Sequence, residues 1–246
     1  MLLTTSVGTN GANAPADVGL VKQRLIGLGF EWLAADAQLD AETVDAIRLV
    51  QAIVRGRQSI QGPGIDGRID VGGETHRWLQ APNPPRWGKM PAGGSVTWGF
   101  RNVEVLEQTT DDHDWGTSWL AELTIQAGRA YRDAFLAGHP GRALIAVNDA
   151  SKPRGGPTPD HAGHECGLCC DIRLPRLDGT APGGTEHHQA AYDREAMRAT
   201  LTAFRTEPRV SRIFFNDPIL IGEGLCAPLA GHDDHAHIEL APPPLD

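Results

Sequence analysis

The 246-residue chain is short of cysteine, aromatic residues and positive charge: four cysteines, 6% Phe, Trp and Tyr, and 22 basic against 31 acidic side chains. Each shortage excludes something. Three cysteines crowd into Cys166-Gly-Leu-Cys169-Cys170 and Cys226 stands apart, too few for a disulfide-stapled scaffold. A formal net charge of −9 speaks against a partner held by neutralising phosphates, so no nucleic acid is expected. No apolar run approaches the ~18 residues needed to cross a bilayer, so no membrane insertion is expected. The opening MLLTTSVGTNGANAPADV has neither a basic leader nor a long apolar stretch, and no signal peptide is expected. On that reading the chain is made in the cytoplasm, and action outside requires release by lysis or injection.

Proline and glycine, by contrast, are concentrated. Ala81-PNPPRWGKMPAGG-Ser95 holds four prolines and three glycines, which cannot continue a helix or a central strand. Residues 82–95 therefore read as a linker between a segment over 5–81 and another over 96–246. In the first segment, Val18, Val21, Leu25 and Leu28 mark one helical face behind Asp17, a candidate cap. Val44, Ile47, Val50 and Val54 mark another behind Asp40, and Glu74-THRWL follows the turn at Asp66-Gly67. Three short helices make a minimal bundle with a small core.

This pattern resembles the peptidoglycan-binding domain type 1 family. The matching residues are Asp17-Val18, Lys22-Gln23, Leu25, Leu28-Gly29, Asp40, Thr43, Ala46, Val50-Gln51, Asp66-Gly67, Thr75 and Leu79. The resemblance implies a small three-helix domain that holds the cell wall. Its motifs mostly record helix packing and caps, so a generic helical domain is the plainer alternative.

Beyond the linker the periodicity changes. Val96-TWGFRNVEVLE reads as strand or hairpin, Trp119-LAELTIQAGRAYRDAFLAG as a long amphipathic helix, and Arg142-ALIAVND as a buried strand. A turn-rich loop over 151–163 precedes the strand-like Leu168–Leu174; a helix over 189–205 and a strand from Arg212 follow. Strands and helices mix without a strict βαβ rhythm, which predicts an α+β fold.

Seven of the ten histidines fall between residues 161 and 237. In His161-AGHECGLCCDI, His164 and Asp171 are seven positions apart, and Gly167 lets the chain turn from loop into strand. A histidine at the strand's mouth and an aspartate within it can then converge on one ion. In Gly231-HDDHAHIEL, residues two apart in an extended segment share a face, so His235 and His237 project together, with His232 in the approach. Two imidazoles and a carboxylate form a normal hydrolytic zinc set that leaves one position for water. A solvated acidic turn is the plain reading of Asp233-Asp234 alone, and no H-E-x-x-H occurs.

Both stretches resemble the penicillin-insensitive murein endopeptidases. Asn148-DASKPRGGPTPDHAGHECGLCCDI is similar to that family's "GD.S...GG....H.SHQ.GLD.DI" region, and GHDDHAHIEL to its "HD.HFHVRL". The resemblance spans about residues 148–240 and implies the metal arrangement of the D-alanyl-D-alanine peptidase group, which includes lysostaphin-like enzymes. It implies Zn2+ held by His164, Asp171 and His237, with His235 in the catalytic position and His232 and His161 lining the site. Asp233 would orient an imidazole from behind. Glu165 replaces the family's glutamine, an extra carboxylate beside the ion, and Cys169-Cys170 replace two residues of "GLDVDI". Cys166-x-x-Cys169 is a competing soft-metal pair, though without a second pair.

The expectation is an α+β zinc peptidase domain behind a small N-terminal three-helix peptidoglycan-binding domain. It would cleave D-alanyl–diaminopimelate-type peptide crosslinks with metal-activated water. Partners would be peptidoglycan stem peptides and crosslinks, with a secretion apparatus or an immunity protein for an injected antibacterial effector; a phage endolysin fits equally. Three alternatives stay open: a D-Ala-D-Ala carboxypeptidase with the same site, a cysteine peptidase using Cys169 or Cys170, and a non-catalytic wall-binding component carrying a structural metal.

Overall fold

The computed structural model describes residues 1–107, 111–159, 161 and 163–245. Asp160 and Ala162, in the loop expected over 151–163, lie outside the described residues.

The chain opens with a two-residue strand, β1 (Val7–Gly8), then α1 (Pro15–Gly27) and α2 (Ala41–Val54). A second short strand, β2 (Arg68–Ile69), pairs antiparallel with β1, and α3 (Glu74–Gln80) closes this first unit. Asp40 caps α2, accepting from the Thr43 backbone N–H at 2.7 Å. Asp17 does not cap α1, which starts earlier, at Pro15, with Ala14 in the cap position. Its carboxylate instead accepts from the backbone and hydroxyls of Thr4 and Thr5, pinning the N-terminal segment to the helix. Gln51 bridges Asp66 and Gly67, and buried Lys22 donates to Asp36, Asp40 and the Gln38 carbonyl. The motif residues of this unit thus hold its own turns and caps.

The stretch expected as a linker carries a strand, β3 (Trp87–Lys89), antiparallel to β5 (Trp115–Thr117). Its prolines flank the strand, which pairs in a two-stranded sheet among the described residues, so no central ladder is interrupted. Trp87 is buried against Phe30, and its indole N–H donates to the Pro153 carbonyl at 2.7 Å. Trp78 of α3 meets Trp119 with ring centroids 5.6 Å apart, so one apolar core runs through both units.

The segment over 96–107, expected as strand, is half helix: β4 (Phe100–Asn102) leads directly into α4 (Val103–Glu107). After β5 come α5 (Ser118–Ala134), a single 3-10 turn, β6 (Ile145–Val147), β7 (Cys169–Arg173), α6 (Arg194–Arg205), β8 (Val210–Phe214), α7 (Pro218–Gly222) and β9 (His235–Leu240). A five-stranded sheet runs β4-β6-β7-β9-β8, parallel between β4 and β6 and antiparallel elsewhere. The architecture is mixed helix and sheet, in keeping with α+β. No helix among the described residues is long and apolar enough to cross a membrane.

Period-two alternation gives the central strands two chemically different faces. Ile172, Ala236, Ile238 and Ile213 lie on the face toward the apolar core, to which α5 and α6 contribute Leu120, Leu123, Met197 and Phe204. Cys169, Asp171, His235, His237, Glu239, Arg212 and Phe214 occupy the other face. The register places Asp171 opposite His237 and Cys169 opposite Glu239. A one-residue slip of β9 would send every histidine of this face into the core.

Candidate metal centre

His164 arrives from the loop before β7 with a backbone φ of +66°, a left-handed conformation uncommon for a residue with a side chain. Two contacts hold it there. The Ser151 hydroxyl donates to its carbonyl and accepts from the Gly167 N–H, and His164 Nδ1 lies 2.9 Å from the Ala150 carbonyl. Gly167 makes the turn into the strand at φ +61°, where a Cβ would lie 2.6 Å from the Gly116 Cα. Because Nδ1–H donates to Ala150, Nε2 is the nitrogen that points into the site.

Three donor atoms converge there. His164 Nε2 is 3.0 Å from His237 Nδ1 and 3.3 Å from Asp171 Oδ1, and His237 Nδ1 is 2.9 Å from that same oxygen. Ligands bound at about 2.0–2.1 Å in a tetrahedron stand about 3.3 Å apart, so the triangle has the right size for a small cation. His237 Nε2 faces Glu239 Oε1 at 3.6 Å, a carboxylate that would hold the ring proton on that side once a cation took Nδ1. His164, Asp171 and His237 are all buried.

The electrostatics agree with the geometry. Burial opposes charge on His237, but Asp171, Cys169 and Glu239 together outweigh it and raise the imidazole to about 12. His164 is likewise raised against the burial penalty, by Cys169 and Asp171; burial would raise Asp171, but the two histidines drive it well below the usual carboxylate range. This pocket retains positive charge on its imidazoles. A divalent cation satisfies the same demand without protons.

The triad forms the floor of an open cleft of about 450 Å³, lined also by His161, His232, His235, Phe214, Arg212 and Leu229. His235 Nδ1 is 2.8 Å from Asp234 Oδ1, and its Nε2 is 3.8 Å from Asp171 Oδ2. His232 lies 4.7 Å from His235, ring to ring, and burial lowers its pKa. His161 packs 4.5 Å from His164, centroid to centroid, with Nδ1 3.8 Å from Asp171 Oδ2.

Two expected residues face elsewhere. Glu165 turns away from the cleft and accepts from the Ser59 hydroxyl (3.0 Å) and the Ile60 N–H (2.9 Å), latching the first unit to the ligand loop. Neighbours on a bent loop leave in opposite directions, so adjacency to His164 did not place its carboxylate at the ion. Asp233 faces Asn216 and His187, and it is Asp234 that meets His235. Sequence reasoning also missed Glu239 and Gln58. Glu239 was readable as the next same-face residue after His237; Gln58, which lines the cleft from the first unit, left no signal.

The cysteines divide by face. Cys170 points to the core, where burial raises its thiol, and neither it nor Cys169 is exposed. Neither sulfur is therefore presented to a substrate in the cleft. Cys169 shares the face of Asp171, and its sulfur forms a close donor group with His164 and His237. Burial raises this thiol, but the two imidazoles overcome it and bring it to about 6.

A scan against protein-family models finds no match to this chain, and a search of curated proteins finds none either. The class of site is therefore argued from its donor set: a buried group of histidine, aspartate and cysteine side chains able to hold a metal ion.

Proposed function

We propose that the chain is a zinc-dependent peptidoglycan hydrolase of the D,D-endopeptidase type. One observation carries the reading: three metal-type donor atoms, from His164, Asp171 and His237, meet within 3.3 Å at the floor of an accessible cleft. Two nitrogens and one carboxylate oxygen suit zinc and leave a position free for water. Zinc bound there would supply Lewis acidity, lowering the pKa of water toward ~7 and polarising a scissile carbonyl.

The remaining chemistry belongs to side chains. Asp234 accepts the Nδ1 proton of His235 and fixes its tautomer, so Nε2 is free on the cleft side to take a proton and pass it to a leaving amine. His232 stays neutral at physiological pH because burial disfavours its cation, and it flanks His235 as a polar wall. Phe214 and Leu229 offer apolar surface for a stem peptide, and Arg212, two residues before Phe214 on β8, lies 3.2 Å from Glu239. The first unit, by its resemblance to wall-binding modules, would hold polymer close and raise local substrate concentration. The same geometry serves a carboxypeptidase. Crosslinked muropeptide dimers and pentapeptide monomers, digested with zinc-loaded protein and read by mass spectrometry, separate the two; dimers left intact while pentapeptides lose a residue reverse the assignment.

A second reading rests on Cys169. If its sulfur closes the donor set, the metal is structural and the chain is a non-catalytic wall-binding component of a phage or secretion device. Protein that holds zinc yet leaves both substrates intact supports that reading.

A further inference from the structure

Beside this centre lies another group of donors that the proposed chemistry does not use. His113 precedes β5, Asp149 follows β6, and His161 sits in the ligand loop. Backbone bonds bring the first two together: the Ala150 N–H donates to the His113 carbonyl at 2.7 Å, and Trp115 and Ser151 exchange bonds of 2.9 and 2.8 Å. Asp149 is also tied to β7, since its carbonyl accepts from the Asp171 N–H at 2.9 Å. Asp149 is thus fixed between the first centre and His113 by main chain, independent of side-chain rotamers.

Its two carboxylate oxygens face different imidazoles. Oδ1 is 3.8 Å from His113 Nδ1, and Oδ2 is 3.4 Å from His161 Nε2. These gaps exceed the ~2.7–2.9 Å of a charge-assisted hydrogen bond, and they suit donors arranged around a shared cation. Among the described residues Asn148 Nδ2 makes a short contact, donating to Oδ2 at 2.8 Å and holding the carboxylate in place. The three candidate ligand atoms lie within 4.8 Å of one another, and Glu104 and Asp111 bring further carboxylate oxygens within that distance of Asp149. Their charge adds attraction for a dication. The His113 and His161 rings meet edge to face at 5.7 Å, with His113 buried.

We propose that His113, Asp149 and His161 form a second divalent-cation site next to the His164–Asp171–His237 centre. Two imidazole nitrogens and a carboxylate favour zinc or a neighbouring transition ion over magnesium or calcium. His161 Nε2 serves the new site while Nδ1 faces Asp171 Oδ2 at 3.8 Å, so one imidazole stands between the two centres. An intervening ring keeps the ions farther apart than the ~3.5–4 Å of centres that share a water. The second ion therefore anchors the ligand loop and holds His161 in place, and takes no part in bond cleavage.

The test is zinc stoichiometry of the full-length chain, stripped with chelator, reloaded, desalted and measured by elemental mass spectrometry. About two ions per chain are expected for the wild type, and about one for each of His113→Gln, Asp149→Asn and His164→Ala. The double variant His113→Gln/His164→Ala is expected to hold almost none. Circular dichroism of each variant establishes folding, and the wild-type count stands without any variant. One zinc in the wild type, unchanged in His113→Gln and Asp149→Asn, overturns the second site and leaves the first intact. A count that His164→Ala does not lower overturns the first centre instead.

Discussion

Replacing Asp171 by asparagine probes the buried triad most sharply. Asp171 is 2% exposed, and its carboxylate contacts both His164 and His237. Asparagine keeps the shape and one acceptor oxygen but removes the negative charge that makes the pocket attractive to a cation. Zinc at a hundred times its Kd stabilises a chain that binds it only when folded by about 2.7 kcal/mol. For a chain of this size each kcal/mol moves the midpoint by roughly 2–4 °C, so a saturated triad gives a wild-type rise of about 5–11 °C. If the asparagine variant binds that site a hundredfold more weakly, the same zinc yields only about 0.4 kcal/mol, or about 1–2 °C. Thermal melts with zinc or with chelator read both numbers, against a background set by the His113→Gln variant. A wild type that ignores zinc, or an asparagine variant that responds equally, would show that the Asp171 triad does not hold the ion.

Three further outcomes are expected. His237→Ala should lose both zinc at the triad and crosslink cleavage, whereas His235→Ala should keep zinc and lose about 10²–10⁴-fold in kcat; the reverse pattern would exchange their roles. Cys169→Ser should keep zinc and activity if the donor set is open, and loss of zinc from that variant would mark the sulfur as a ligand. Asp40 is held at about 2 chiefly by the Thr43 hydroxyl, with Lys22 adding to it against a burial penalty. A depressed carboxylate stabilises above its unfolded pKa of 3.8, and that contribution is lost as pH falls toward 2. Asp40→Ala should therefore cost about 0.5–2 kcal/mol near neutrality and flatten the acid side of the stability curve over that window, measured by urea titration.

The parts of this site readable in the sequence were those governed by strand alternation. His235 and His237 had to share a face, and Gly167 had to turn the chain so that His164 could reach the strand bearing Asp171. What escaped was set by loops and by contacts distant in sequence. No period tells which way Glu165 or Asp233 leaves a bend, and both proved to point away from the cleft. His113 and Asp149 are 36 positions apart and meet only because main-chain bonds pair their segments. The Pro/Gly-rich stretch hid Trp87–Lys89, where buried aromatic surface outweighed the breakers on either side. Asp17 sat two residues inside its helix, and its carboxylate served Thr4 and Thr5 in place of the helix end.

The proposed function requires the His164–Asp171–His237 centre to hydrolyse peptidoglycan crosslinks with a bound metal. Digestion of a defined D-alanyl–diaminopimelate crosslinked dimer by the purified chain, read by mass spectrometry, tests it most directly. Monomers are expected from the zinc-loaded protein, none after chelation, recovery when zinc is returned, and none from His164→Ala under any condition. Zinc-loaded protein that leaves the dimer whole, or cleavage that survives chelation and the loss of His164, would contradict it.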